Sequence, residues 1–460
     1  MFYHSTNRKI KNKTFKEVLF DGLAPDGGLY MPDSFPVLNP DFLKNLPEIT
    51  FADIAFEVSK QFISDVPEKE LKSIIADAFS KESFDAQTGF PAPIIHPVRN
   101  SPPIGPLGAQ TVGVISNGVK IGENIFVEEL FHGPTMAFKD FGARFMSRLM
   151  GYYLKQEKRK LKIIVATSGD TGSAVAAGFY NVPGIKVFIL YPSGKVSELQ
   201  EKQLTTFGGN ITAIEVRGSF DDCQKLAKQV LSDKLLNGNN EFSSANSINF
   251  GRLLPQMFYY FHGYAQVAKS GKKDVVFSVP SGNFGNLTAG IMAKKLGLPI
   301  AKFIAATNIN DIVPEYLKTG VFKPKISQKT MSNSMDVGNP SNFARMLKMY
   351  ENSANLMPKD IIGISVSEEE TAETIKSVYD EAGYIIDPHT AVAVRGAQQS
   401  GLKDPIIALA TAHPIKFKDS VEPIIGKKIE VPEKLKATLK KSKKSILIEN
   451  SFEELKKILE

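Results

Sequence analysis

From about residue 124 onward, short apolar runs alternate with amphipathic segments, and this alternation constrains the fold more than any other feature of the chain. NIFVEEL (124–130), KIIVATS (162–168), KVFILYP (186–192), ITAIEV (211–216), DVVFSVP (274–280), AKFIAAT (301–307), GISVS (363–367) and PIIALAT (405–411) read as strands. Between them, 138–156, 171–180, 196–207, 220–231, 252–269, 286–296, 368–382 and 388–399 read as helices. Strands separated by helices of this length predict βαβ units and parallel sheet. The pattern comes in two stretches, so the expected fold is α/β, with two lobes of mostly parallel sheet and a cleft between them.

The first hundred residues differ. Helical periodicity around 51–63 and 68–80 predicts a mainly helical N-terminal domain. The segment 89–108, GFPAPIIHPVRNSPPIGPLG, is too rich in proline for a central helix or strand and reads as a connection. The expected division is an N-terminal domain over 1–95, a large α/β domain from 96–135 and 250–425, a small α/β domain over 136–249, and a basic tail over 426–460.

Charge and cysteine usage remove several function classes. The net charge of +7 invites a nucleic-acid reading, but residues 427–460 hold ten lysines against six glutamates, which leaves the body near neutral. Phe452 is the one aromatic residue among those lysines, too little for base stacking, so the tail reads as a solvated terminal helix or flap and no nucleic-acid partner is expected. The single cysteine, Cys223, excludes a disulfide framework, and none of the histidines His132, His389 and His413 has metal-ligand spacing with another His, Cys or acid, so no metal is expected. No apolar run is long enough to span a membrane. The first residues, MFYHSTNRKI, lack a signal-peptide core, and a cytoplasmic protein is expected.

Two strand–loop–helix junctions and one lysine carry chemistry. VPSGNFGNLTAG (279–290) runs from a buried strand through Gly282, Asn283, Phe284, Gly285 and Asn286 into a helix. Glycines admit a ligand close to the backbone, and a helix start offers free N–H groups to a phosphate. The loop is neither a P-loop nor a dinucleotide fingerprint, and a plain βα turn has the same look. ATSGDTGSA (166–174) presents Thr167, Ser168, Asp170 and Thr171 to a small carboxylate or phosphate, or else caps its helix. Lys139 sits at a helix start, where the dipole favours acids. Phe138 and Phe141 would desolvate it and lower its pKa, as a Schiff-base lysine requires; a solvated surface lysine is the plain alternative. A Schiff-base lysine, a phosphate loop and a carboxylate loop together suit pyridoxal 5'-phosphate with an amino acid.

At this point the sequence resembles the threonine synthases, fold-type II pyridoxal-phosphate enzymes, in their longer bacterial and fungal subclass with an extra N-terminal domain. The resemblance runs along nearly the whole chain: YHSTN (3–7), LAPDGGLYMP (23–32), FADIA (51–55), FHGPTMAFKDFGARF (131–145), TSGDTGSA (167–174), YPSGKVSELQEKQLTT (191–206), NSINFGRLLPQ (246–256), PSGNFGNLTAG (280–290), AATNIND (305–311), SNSMDVGNPSNF (332–343) and TAHPIKFKDSVE (411–422). It implies conversion of O-phospho-L-homoserine and water to L-threonine and phosphate, by γ-elimination and then β-addition of water. The same residues would serve a phospholyase releasing 2-oxobutyrate, and a non-catalytic relative of the fold is a third reading.

By the same resemblance, Lys139 holds the cofactor and moves protons. Gly282, Asn283, Phe284, Gly285 and Asn286 hold the cofactor phosphate, and Thr411 meets the pyridine nitrogen. Thr167, Ser168 and Thr171 bind the substrate carboxylate, and Asp170 faces the cofactor hydroxyl. An acid there disfavours the anion of that hydroxyl unless one of the two is protonated. Asn246, Ser247 and Arg252 take the substrate phosphate, with Lys195 a weaker candidate. The plain alternative for 246–252 is capping of the helix that follows. His132, His389 and His413 read equally as packing, capping or site-lining residues. A monomer or homodimer is expected.

Overall fold

Two sheets organise the chain. The computed structural model describes residues 1–80, 84, 94–97, 124–237, 242–269, 271 and 274–460. Most of the proline-rich connection lies outside the described residues. The strands are β1 (Tyr3–Ser5), β2 (Tyr30–Pro32), β3 (Ile94–Pro97), β4 (Ile125–Glu129), β5 (Leu161–Ala166), β6 (Ile185–Pro192), β7 (Ile211–Arg217), β8 (Phe242–Ser244), β9 (Val275–Pro280), β10 (Ile300–Thr307), β11 (Ile361–Ser365), β12 (Ile406–Ala410) and β13 (Ile446–Glu449). The larger sheet has the order β11-β10-β9-β12-β4-β3 and the smaller β13-β7-β6-β5-β8. Every pairing in these two sheets is parallel except β3 with β4. The proline at the end of β3 is tolerated because this strand lies on an edge.

The central strands are buried from end to end. VVFSVP of β9 and IIALA of β12 have no exposed face, as parallel strands covered by helices on both sides must. The predicted helix over 252–269 is broken into Phe250–Leu253 and Gln256–Ala268. Pro255 lies at the break and has no N–H to continue the ladder.

The N-terminal residues add the two-stranded β1–β2 sheet and the helices Phe15–Asp21, Pro40–Asn45, Phe51–Ser59 and Glu68–Ala78. They share one continuous hydrophobic core with the larger sheet and with the Lys139–Glu157 helix. Phe51 and Phe79 each lie 5.8 Å from Phe141, and 6.4 and 6.0 Å from Phe258. Such ring pairs contribute about 0.5–1.5 kcal/mol each beyond their buried area. Arg144 Nε donates to Ala78 O at 2.7 Å, so the helix beginning at Lys139 also satisfies the end of an N-terminal helix.

The lysine-rich C-terminal segment is not the solvated flap expected of it. Residues 446–449 pair in parallel with β7 and complete the edge of the smaller sheet. The helix Phe452–Leu459 inserts Leu455 and Leu459 beside Cys223, Leu226 and Val230. Lys443 lies 2.6 Å from both Glu201 and Glu215, so part of the basic charge is neutralised locally. The composition of the segment hid apolar anchors, among them Leu435, Ile448, Leu455 and Leu459, between its lysines. Leu455→Ala is expected to cost about 2–5 kcal/mol, as for other buried leucines; a melt showing no loss of stability would mean the helix does not hold the lobe.

Candidate active site

The carboxyl ends of the strands in both sheets open on one cavity of about 520 Å³. Its walls bring together every site residue expected from the sequence. Lys139 begins a helix on its floor. The loop ahead of it is held from three directions. Thr135 donates from its N–H and hydroxyl to Asp140, at 2.9 and 2.7 Å. Phe138 N donates to Thr411 O at 2.9 Å, and His413 N to Met136 O at 3.1 Å. Met136 is left-handed at φ 59°, a conformation that the surrounding contacts must hold in place. Thr411, one residue past the end of β12, is thereby knitted to the chain beside Lys139.

Burial lowers the affinity of Lys139 for its proton. The Asp170 carboxylate opposes that effect, while the Arg252 and Lys416 cations reinforce it. Lys139 Nζ also lies 5.4 Å from the Phe138 ring, so the expected desolvation by this neighbour is present. Asp140 is buried as well, which raises its pKa despite the two Thr135 hydrogen bonds.

The loop after β9 passes through Phe284, left-handed at φ 58°, into the Gly285–Lys295 helix. A Cβ on Gly282 would stand 2.6 Å from Met335 Cα and 2.9 Å from Ser334 O, so only glycine fits against this backbone. Asn283 donates to Ser247 Oγ at 2.6 Å and accepts from Ser341 N at 2.6 Å. Asn286 Oδ1 accepts from Tyr259 at 2.6 Å and Tyr260 at 2.8 Å. Those two hydroxyls orient the amide, and its Nδ2 is buried with no partner.

On the facing wall, Thr167 Oγ1 accepts from Gly169 N at 2.9 Å and Gly172 N at 2.8 Å. The Thr167 hydroxyl therefore satisfies the helix start, and Asp170 is released from capping. Asp170 instead pairs with Lys416 at 2.8 Å and accepts from Gln200 Nε2 at 2.8 Å. Burial alone would raise the Asp170 pKa, but Lys416 and Lys139 outweigh it and hold the group well below the usual carboxylate range. Ser168 and Thr171 line the cavity on the same loop.

Arg252 is 2% exposed. Its terminal nitrogens donate to Ala245 O at 2.8 Å and Lys139 O at 3.5 Å, while Nε is buried without a partner. Burial pulls it down to about 10, against the attraction of Asp140. Asn246 spends much of its amide on β5: Nδ2 donates to Ala166 O at 2.8 Å and Oδ1 accepts from Ala166 N at 3.3 Å. The short helix before Pro255 is capped by Asn249, whose Oδ1 accepts from Gly251 N at 2.9 Å, so capping does not occupy Asn246, Ser247 or Arg252.

Of the remaining candidates, Lys195 and His389 line the cavity. His389 Nδ1 is 2.6 Å from Asp387 Oδ2, and its Nε2 accepts from Ser334 N at 3.2 Å. His132 and His413 do not line it. His132 Nε2 is 2.8 Å from Glu129, and burial pushes His413 down to about 4. Several residues in or behind the cavity wall escaped the sequence reading. Lys416 and Gln200 hold Asp170, and Arg345 bonds Tyr30 O, Ser247 O and Ile248 O from a fully buried position. Asp336, raised to about 6 by burial, collects Thr330, Asn308 and Asn310. Spacing in sequence could not have found them. The signal available for Asp336, Gln200 and Lys416 was their place in SNSMDVGNPSNF, YPSGKVSELQEKQLTT and TAHPIKF, motifs in which the reading left these residues unassigned; Arg345 lies outside all the quoted motifs.

Three family models match: pyridoxal-phosphate dependent enzyme over residues 110–411, threonine synthase N terminus over 2–79, and threonine synthase C-terminal over 390–459. The threonine synthase of Haemophilus influenzae is 42% identical over 423 residues, which covers 92% of this chain and 91% of that one. The chain belongs to the threonine synthase family. The crystal structure of threonine synthase from Escherichia coli superposes with a TM-score of 0.87 at 36% identity, covering 100% of this chain and 99% of that one. The PLP-bound threonine synthase from Brucella melitensis also gives 0.87, at 32% identity and 100% and 98% coverage. Like other members of the threonine synthase family, the chain is a pyridoxal-phosphate-dependent enzyme of fold type II.

The donor set of the cavity fits pyridoxal 5'-phosphate. Asn286 Nδ2 is a buried donor with no protein partner, beside a helix start whose amides are suited to a phosphate. Gly282 leaves the loop free of a side chain there, and Lys139 supplies a desolvated amine. Gly282→Ala is expected to weaken binding of the cofactor by about tenfold, since its Cβ must displace Met335 or Ser334. Titration of the cofactor-free protein measures this, and unchanged affinity would remove the loop from the site.

Proposed function

We propose that the chain converts O-phospho-L-homoserine and water to L-threonine and inorganic phosphate, the last step of threonine biosynthesis, in the cytoplasm. The observation that carries this reading is the flanking of one desolvated amine, Lys139, by two separate anion-binding edges. One is the Gly282–Asn286 loop, suited to the cofactor phosphate. The other contains Arg252 and Ser247, suited to a second phosphate on the substrate. No helix among the described residues is long and apolar enough to cross a membrane, and no group of three His, Cys, Asp or Glu among them is placed to hold a metal.

When bound, pyridoxal 5'-phosphate supplies an electron sink for the carbanion formed at the substrate α-carbon. In this reading Lys139 Nζ holds the cofactor, then takes the α-proton as a free amine and returns protons later. Its lowered proton affinity keeps a larger fraction neutral and able to act as a base. Thr167, Ser168 and Thr171 bind the substrate carboxylate and fix the α-carbon over Lys139. Asp170 faces the cofactor hydroxyl, and the neutral hydroxyl of Thr411 meets the pyridine nitrogen. Arg252, Ser247 and Asn246 would hold the phosphate, which leaves the γ-carbon with the electron pair freed by loss of a β-proton. Water adding at the β-carbon would complete the conversion, and exclusion of bulk water from the cleft would guard against loss as keto acid. The division into an N-terminal domain, a cofactor-binding lobe and a smaller lobe belongs to the same proposal, with a monomer or homodimer as the working form.

Product analysis with O-phosphohomoserine tests the reading: threonine should dominate, and dominant 2-oxobutyrate would make the chain a phospholyase. Lys139→Ala should lower kcat by a factor of about 10³ or more. Arg252→Ala should raise KM by roughly ten- to a hundredfold, the worth of a charge-assisted phosphate contact. Its effect on cofactor affinity should be much smaller, and an equal loss of both would remove Arg252 from the substrate phosphate.

A further inference from the structure

We propose that Lys416, through its 2.8 Å ion pair with Asp170, is a positioning residue that sets how readily Lys139 gives up its proton. Lys416 lies outside the residues to which the sequence assigned chemistry. It sits in the short Pro414–Phe417 helical turn after β12, and its side chain is completely buried. A buried ammonium needs partners, and two of them are 2.8 Å away: Asp170 Oδ1 and Thr135 O. Thr135 belongs to the loop that leads into the Lys139 helix, and Asp170 opens the Asp170–Phe179 helix of the facing wall. One cation therefore joins both walls beside the reactive amine.

The charges around this point are few. Lys139 faces Asp170, Arg252 and Lys416. Asp170 faces Lys416 and Lys139, and accepts a neutral hydrogen bond from Gln200. Behind them, Asp140 feels Lys416 and Arg144. Within this set Asp170 favours the charged amine and Lys416 opposes it, so the two partly cancel at Lys139. A bare Asp170 would keep Lys139 protonated and poor as a base. A bare Lys416 would drive the proton off and discard the charge that the amine needs when it returns protons. The pair gives a carboxylate at the site without its full field, and desolvation remains the leading influence on Lys139.

The signs follow. Lys416→Met removes a repelling cation and uncovers the Asp170 charge, so the Lys139 titration moves up. Asp170→Asn leaves an extra cation facing Lys139, so the titration moves down. The double variant removes opposite charges and returns it close to the parent. At a fixed pH below the midpoint, each single change should alter the neutral fraction of Lys139 by about tenfold, as expected for one charge at short range behind partial screening. A purely structural role would disturb access or folding, but would not move the midpoint in opposite directions and then cancel.

The proposal rests on Lys139 being the reactive amine, and the test reads that amine directly, without turnover. The pH dependence of Lys139 acetylation by acetic anhydride is measured in the full-length, cofactor-free protein by mass spectrometry of the Lys139 peptide. In the holoenzyme, the pH dependence of the absorbance of bound pyridoxal 5'-phosphate is followed in parallel. Upward, downward and restored midpoints for Lys416→Met, Asp170→Asn and the double variant support the pair, and Lys416→Arg should stay near the parent. If Lys416→Met does not fold, Asp170→Asn and the double variant still carry the sign test. Unmoved midpoints, shifts of one sign, or a double variant that adds rather than cancels would overturn the proposal, whether or not the enzyme makes threonine.

Discussion

The structure is governed by the need to keep one amine dry and still reachable. An isolated buried charge is too costly to retain, so each ionised group around Lys139 is bound to something else in the protein. Asp170 is tied to Lys416 and Gln200, Asp140 to Thr135, and Arg252 to the carbonyls of Ala245 and Lys139. Among the described residues some buried polar atoms have no protein partner. Asn286 Nδ2 and Arg252 Nε are two of them, and both residues line the cavity. At the cavity such atoms are informative, because they are where a bound group can supply the missing partner.

Support for this pocket comes from the N-terminal residues. Phe51 and Phe79 press on Phe141, which lies two residues beyond Lys139, and Phe141 in turn lies 5.5 Å from Tyr259. Tyr259 donates to Asn286, so one aromatic cluster stiffens both the lysine helix and the loop suited to phosphate. Arg345 adds a second tie, since it joins Tyr30 of the N-terminal region to residues 247 and 248. The N-terminal residues are therefore part of the wall that holds the site.

Periodicity made the two parallel sheets legible, because buried parallel strands are short, continuous apolar runs such as VVFSVP and IIALA. It missed β1, β2 and β8, three-residue strands too short to show a period, and β13, whose apolar anchors are diluted by lysine. The loops around Lys139, Asp170 and Gly282 were legible because each follows an apolar strand and opens a helix. Lys416 and Arg345 were not: lysine and arginine are ordinary surface residues in sequence, and only the fold reveals that these two are buried. Asp170 shows the same limit in another form. Its position at a helix start suggested a cap, yet Thr167 does that work and leaves the acid to a partner 246 residues away.

The place of β12 in the larger sheet has a consequence in time. This strand lies between β9 and β4, so the sheet is not continuous until residues 406–410 are in place. Thr411 and Lys416 follow it immediately. During synthesis, a ribosome that has not yet reached residue 406 carries a divided sheet with its two central edges uncovered. Insertion of the last central strand closes those edges, seats Thr411 beside Lys139 and brings the counter-ion to Asp170. Long-range pairing of this kind is slow and leaves unpaired edges open to aggregation until it finishes. Products that stop before β12 should therefore be unable to sequester the cofactor, and free pyridoxal phosphate should be captured only by molecules that include it.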